Sequence, residues 1–281
     1  MKRKIEALSR EEKAILAGIR LSVTAHLVAE VAAVDKDLAV LCKAPFTLSL
    51  AAAGVPGRAK LICRDGAISV WFGDRHGDEL GASTKGAAGG MLLFPNARAC
   101  ARSLAGGRGV IIPLPFGIAF PRALRFFKAA ASRAPALLRS PDLPPTIKAR
   151  LLLAATVHGL SAVAGDSWLE KRMHHFPDGI AQVVAGDALF LLEKKGRMIR
   201  VLENEPNGRS DAAALRIPDA ILTFSSPESA IAVLSGKRQA VVALGAGEVT
   251  IAGLLSLIQG LFSVLDRLSW YLGVGVGEDE K

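Results

Sequence analysis

The sequence predicts an α+β protein made of two tandem domains, each a mostly antiparallel sheet covered by helices. Two observations predict it. One order of elements can be read twice along the 281 residues. A shift of 130 residues also carries landmarks of the first half onto the second: Phe46 onto Phe176, Gly66 onto Gly196, Leu92 and Phe94 onto Leu222 and Phe224. Further on, Leu104, Gly106 and Arg108 fall on Leu234, Gly236 and Arg238, and Leu114, Gly117 and Leu124 on Leu244, Gly247 and Leu254. Internal repetition of this kind marks a duplicated unit, and its length is that of an ordinary domain. The three prolines of Ser140–Thr146 break all periodicity and mark the linker. The expected domains are 1–139 and 148–281, with 140–147 between them.

Each half opens on a helix, expected over Glu11–Val34 and Lys148–Val163. Three short apolar or β-branched segments separated by turn residues follow and read as strands. They are Phe46–Ala53, Arg58–Arg64 and Ala67–Phe72, then Ile180–Ala185, Ala188–Lys194 and Arg197–Glu203. Asp65-Gly66 and Lys195-Gly196 read as hairpin turns. After a polar, Gly-rich stretch, a strand (Met91–Phe94; Ile221–Phe224) leads into a helix (Asn96–Leu104; Pro227–Leu234). Ser226 is the expected N-cap with Pro227 at the first helical position, and Gly106 and Gly236 end the helices. A further strand is expected at Val110–Leu114 and Gln239–Leu244. Pro113 and Pro115 weaken or reshape it in the first half. The last element of each half is an amphipathic helix.

Composition bounds the function. Hydrophobic residues are 51% and charged residues 22%, which excludes a disordered chain. Three separated cysteines, Cys42, Cys63 and Cys100, exclude a disulfide scaffold and a C-x-x-C metal or redox motif. Buried free thiols in a reducing, cytoplasmic setting are expected. Glu6, Glu11 and Glu12 interrupt the basic start where a signal peptide needs an apolar core. The uncharged run Val249–Leu265 reads as an amphipathic surface helix rather than a span. On a helix continued to Leu268, Ser256, Gln259, Ser263, Asp266 and Arg267 share one stripe, and Leu257, Ile258, Leu261 and Leu268 the opposite side.

Catalytic and metal motifs do not rise above background. Asp74, His76, Asp78 and Glu79 read as a solvated loop rather than ligands. The adjacent His174 and His175 point apart and make no metal pair. Gly245-Ala-Gly247 lacks the third glycine of a dinucleotide fingerprint, Leu104–Arg108 lacks the end of a phosphate-binding loop, and Ser83-Thr84-Lys85 has no base beside it. The expectation is a non-enzyme with no cofactor and no metal.

The second half resembles the sterol carrier protein 2-like domains over Phe176–Leu272. The resemblance is carried by Pro218-Asp219 before a strand, Leu234-Ser-Gly236-Lys237 after the short helix, and Gly247-Glu-Val-Thr-Ile-Ala-Gly253 before the last helix. The first half is similar only through the repeat. The resemblance implies an apolar cavity between sheet and helices that carries a sterol, fatty acyl or isoprenoid lipid. Some members of the family hold quinone precursors for biosynthetic enzymes, so a scaffold role beside such enzymes is an alternative. Phe190, Leu192, Phe224, Leu244, Leu254, Leu257, Ile258, Leu261 and Phe262 would line the cavity. By periodicity alone, the last-helix residues among them are also what a plain core needs.

The net charge of +9 is unevenly spread. Residues 1–140 hold 21 Lys/Arg against 10 Asp/Glu, and residues 141–281 hold 14 against 16. No acidic residue lies between Glu79 and Asp142. On the helix expected over Pro121–Ala134, Arg122, Arg125 and Arg133 share one arc, and Phe126 and Phe127 lie on another face. A basic helix with aromatic residues reads as a docking element for an anionic membrane surface; the alternative is a solvated basic face over a buried aromatic one. A nucleic acid partner would also explain the charge, but no groove-reading motif or stacking platform accompanies it. The expected partners are therefore a lipid ligand and an anionic, cytoplasmic membrane face.

Overall fold

The computed structural model describes residues 2–73, 89–163, 165–202 and 217–273. Asp74, His76, Asp78, Glu79 and Ser83-Thr84-Lys85 lie outside the described residues. The chain divides into two compact units, Met1–Ser140 and Pro141–Lys281.

The first unit begins with α1 (Lys2–Ala7), α2 (Arg10–Val34) and α3 (Lys36–Leu41). Ser9 caps α2 in a reciprocal box with Glu12, which satisfies two helix-end N–H groups at once. Strands β1 (Phe46–Ala52), β2 (Arg58–Arg64) and β3 (Ala67–Gly73) form an antiparallel meander. The hairpin Asp65-Gly66 has positive φ at both residues, the conformation a two-residue turn of matching twist requires. Strand β4 (Gly90–Phe94) pairs parallel to β1. Then come α4 (Ala97–Ser103), β5 (Ile112–Pro115) antiparallel to β4, and α5 (Phe120–Arg139). The sheet order is β3-β2-β1-β4-β5. Helix α2 is apolar and long enough to cross a membrane, but most of it is buried: it packs on β1, β2, β3, α4 and α5. The buried Arg20 of α2 donates to the Ala101 carbonyl of α4.

The second unit runs α6 (Pro145–Val163), α7 (Ser167–Met173), β6 (Gly179–Ala185), β7 (Ala188–Lys195), β8 (Met198–Leu202), β9 (Ala220–Phe224) and α8 (Pro227–Leu234). It ends with α9 (Ala240–Gly245), β10 (Val249–Gly253) and α10 (Leu255–Leu272). Its sheet, β8-β7-β6-β9-β10, repeats the order and the strand directions of the first. Helix α6 starts at Pro145, inside the stretch expected to be linker. Ser226 caps α8 with Pro227 at its start, as the sequence predicts.

Two expectations are corrected. Gln239–Leu244 is not a strand, since Gln239 is the N-cap of α9 (Ala240–Gly245), and the strand that pairs with β9 is β10, cut from the run read as pure helix. The constant register also fails. Phe116 donates to Gly89 O at 2.9 Å, and the equivalent bond runs from Leu254 to Asp219 O at 2.8 Å. Gly89 and Asp219 are 130 apart, but Phe116 and Leu254 are 138 apart. The second unit therefore carries eight extra residues, the stretch that holds α9. The pairings Leu114/Leu244, Gly117/Gly247 and Leu124/Leu254 are not structural equivalents.

Candidate functional site

The helix-covered face of the second sheet is built by strand alternation. Directly opposed residues share a face, so the register gives its rows: Ile251, Leu222, Val183 and Phe190 in one, and Val249, Phe224, Ala185 and Ala188 in the next. Gly253, Ala220, Ala181, Leu192 and Val201 form a third. Helix α6 packs over β6, β7 and β8, and α10 over β6, β9 and β10. Of the expected lining, Leu192, Phe224, Leu257, Ile258 and Leu261 are buried in this layer. Phe190 is half-buried and meets the buried His158 of α6 edge-on at 6.2 Å between ring centres. Phe262 is also half-buried.

Leu244 and Leu254 depart from the expectation. Both are exposed, Leu244 because it ends α9 instead of lying in the sheet, and Leu254 because it precedes α10. They belong with Val241, Val242 and Leu255, also exposed, to an apolar rim along the α9–β10–α10 segment. Sequence reasoning missed Val241, Val242 and Leu255. Five apolar residues left in water within one short segment are a departure from the usual scattered exposure.

Polar groups fix the frame of this layer. Asp219 accepts from the Ile180 N–H through its carboxylate at 2.8 Å, and its carbonyl accepts from Leu254. It thus ties β6, β9 and the start of α10 together, which gives the Pro-Asp pair a structural job. The buried Lys194 donates to Asp178 at 2.8 Å, and the Gly196 N–H donates to the same oxygen; these two donors hold the Asp178 carboxyl below the usual carboxylate range. Asp166 caps α7 through Trp168 and Leu169, and accepts from Tyr271 Oη at 2.5 Å and Arg267 Nε at 2.7 Å. Burial alone would raise its carboxyl, but the Tyr271, Arg267 and Trp168 hydrogen bonds outweigh burial and lower it.

The first unit corrects the expected docking helix. Phe126 is 0% exposed and Phe127 5%. Helix α5 turns its aromatic face onto β1, with Phe126 against Phe46 at 5.3 Å. Amphipathic helices of folded domains use the apolar face for the core first, and that leaves nothing aromatic on α5 for a membrane. Arg133 is also engaged. Its guanidinium bonds both Asp35 oxygens at 2.6 Å and Asp37 at 3.0 Å. Arg122 and Arg125 remain exposed, with Lys128 beside them. What the sequence reading missed is the exposed apolar stretch just before α5: Val110, Ile111, Ile112, Phe116 and Ile118.

All three cysteines are buried, and desolvation pushes the Cys63 and Cys100 thiols up to about 12. Thiolate, the nucleophilic form, is then scarce at neutral pH. His174 and His175 are exposed at the end of α7.

No family model and no curated protein matches this chain. Among solved structures it is similar to the sterol carrier protein domain 2 of Helicoverpa armigera, at 18% identity and a TM-score of 0.30 over 42% of this chain and 89% of that one. It is similar to a ubiquinone synthesis protein, UbiJ-SCP2, at 12% identity and a TM-score of 0.30 over 44% and 91%. It is also similar to sterol carrier protein 2 like 2 from Aedes aegypti, at 14% identity and a TM-score of 0.29 over 41% and 97%. All three are sterol carrier protein 2 domains, and each is matched over about two-fifths of this α+β chain.

Proposed function

We propose that this chain is a non-catalytic lipid-binding or lipid-transfer protein that works at an anionic membrane surface in the cytoplasm. The second unit would take the apolar part of a sterol, fatty acyl or isoprenoid lipid between the sheet face and α6 and α10. Phe190, Leu192, Phe224, Leu257, Ile258, Leu261 and Phe262 are the side chains offered to it. The observation that carries this reading is the apolar rim Val241, Val242, Leu244, Leu254 and Leu255, left in water beside that layer. A ligand chain covering it would gain about 25 cal/mol per Å² of apolar surface removed from water. That gain needs no specific polar contact. The first unit would supply the electrostatic attraction through the exposed Arg122 and Arg125 of α5, each worth about 1 kcal/mol near an anionic bilayer.

Native mass spectrometry of the purified full chain tests the reading. The expected result is a co-purifying lipid, displaced by a fluorescent fatty acid. Protein that carries no lipid and binds no such probe would overturn it. A bound quinone precursor would instead favour service to biosynthetic enzymes.

A further inference from the structure

We propose that Val110–Ile118 of the first unit is a membrane-inserting edge, whose apolar side chains enter the interface of an anionic bilayer. The proposal rests on the docking part of the function above and moves its apolar contact from α5 to this segment.

Four observations carry it. First, Val110, Ile111, Ile112, Phe116 and Ile118 are all exposed, and Ile118 is 98% exposed. A large aliphatic side chain held almost wholly in water is not part of any core, and Phe116 at 66% and Val110 at 64% are largely in water beside it.

Second, the segment is held in shape. Phe116 donates to Gly89 O, and Phe120 donates to Gly117 O to close the turn into α5. Phe120, two residues past Ile118, is buried against Gly90, where any side chain would overlap its ring. A preorganised element loses little conformational freedom on insertion.

Third, the flanks are cationic. Arg108 stands before the segment and Arg122, Arg125 and Lys128 after it, all exposed. Among the described residues, none of the four has an ion pair with a carboxylate. Apolar residues inside a cationic collar are complementary to acyl chains beneath acidic headgroups.

Fourth, the edge is closed to the other common occupant, a strand from a second copy. The Phe116 N–H faces β4, so the alternation of the ladder turns the Leu114 and Ile112 N–H groups the same way. Pro113 and Pro115 occupy the positions whose nitrogens face outward, and proline has no N–H to give. The surface therefore fits a lipid layer and not a backbone ladder.

The test is flotation of the full chain with vesicles of equal parts phosphatidylglycerol and phosphatidylcholine, and with phosphatidylcholine alone. Wild type is expected to float with the first and not the second. Phe116→Asp and Ile118→Asp, both at exposed positions, should keep the circular dichroism and co-purified lipid of wild type and lose about tenfold or more in vesicle affinity. Ile118→Cys labelled with an environment-sensitive dye should brighten and shift to the blue on anionic vesicles. Unchanged flotation of both aspartate variants would overturn insertion while leaving docking by α5 in place. A wild type that floats with neither vesicle overturns insertion and docking together, and lipid carriage is then judged on native mass spectrometry alone. A wild-type dimer that Ile118→Asp converts to monomer would also overturn the proposal, by making this edge a copy-to-copy contact.

Discussion

The two units hold the same five-strand order but lock their last helix with different chemistry. In the first, Arg133 of α5 reaches Asp35, the N-cap of α3. In the second, Tyr271 and Arg267 of α10 reach Asp166, the N-cap of α7. Carried forward from the preceding strands, the shift of 138 residues sets Arg133 against Tyr271. The carboxylate has kept its place and its capping role while its partner changed from a surface cation to a buried hydroxyl with a second cation behind it. The Asp35 side chain is 17% exposed and that of Asp166 2%, and their arginine partners are 38% and 15% exposed. A fold can thus preserve a joint and exchange the forces in it, so that equal topology conceals unequal dependence on burial and salt.

The two units are separable by experiment. The largest effect is expected from Phe126→Ala, which empties a fully buried aromatic site on β1. It should cost about 4 kcal/mol, seen as a lower urea midpoint, and it should do so without vesicles present. Stability near wild type combined with lost vesicle binding would return Phe126 to the membrane surface. Next come the paired variants Asp166→Ala and Asp35→Ala. The first removes a cap and the hydrogen bonds from the buried Tyr271 and the part-buried Arg267, at about 3 kcal/mol. The second removes a cap and a part-buried ion pair nearer the surface, at about 1.5 kcal/mol. Urea denaturation followed by tryptophan fluorescence separates them, because Trp168 and Trp270 report on the second unit and Trp71 on the first. Equal losses would mean that the joints do not differ. The smallest effect is the acid response. Both carboxyls are depressed in the folded chain, so their contribution is full above the ordinary carboxylate range and fades as pH falls through the folded values. Thermal melts from pH 7 downward should show both units weakening below about pH 4, with Asp35→Ala flattening the first unit's share.

Much of the fold was legible because local signals agreed. Alternation placed β1, β2, β3, β6 and β7 within a residue or two, and glycines at 66, 106, 196 and 236 punctuate as turn chemistry demands, each with positive φ. The α9 error has a physical cause. Ala-Val-Val-Ala-Leu is a short apolar run, which periodicity alone cannot assign to strand or helix; here the eight-residue insertion frees it from the ladder. The site was legible in part. Residues facing the core follow from alternation, so Leu192, Phe224, Leu257, Ile258 and Leu261 fall in one layer. Which face of α5 meets the core does not follow from its pattern, since an apolar stripe fits a sheet as well as a bilayer. Arg133 was misread because its partner, Asp35, lies 98 residues away in the chain, beyond any local rule.

That separation has a kinetic side. Asp166 and Tyr271 are 105 residues apart. Each joint therefore binds one of a unit's early helices to its last, and cannot close until nearly the whole unit has left the ribosome. Synthesis is slow beside the closing of a chain loop. Both partners of the first joint are present once residue 140 emerges, and that joint can lock while the second unit is still being made. The order of the two joints along the chain thus sets an order in time, in which the joint of the basic unit can close before the second unit exists.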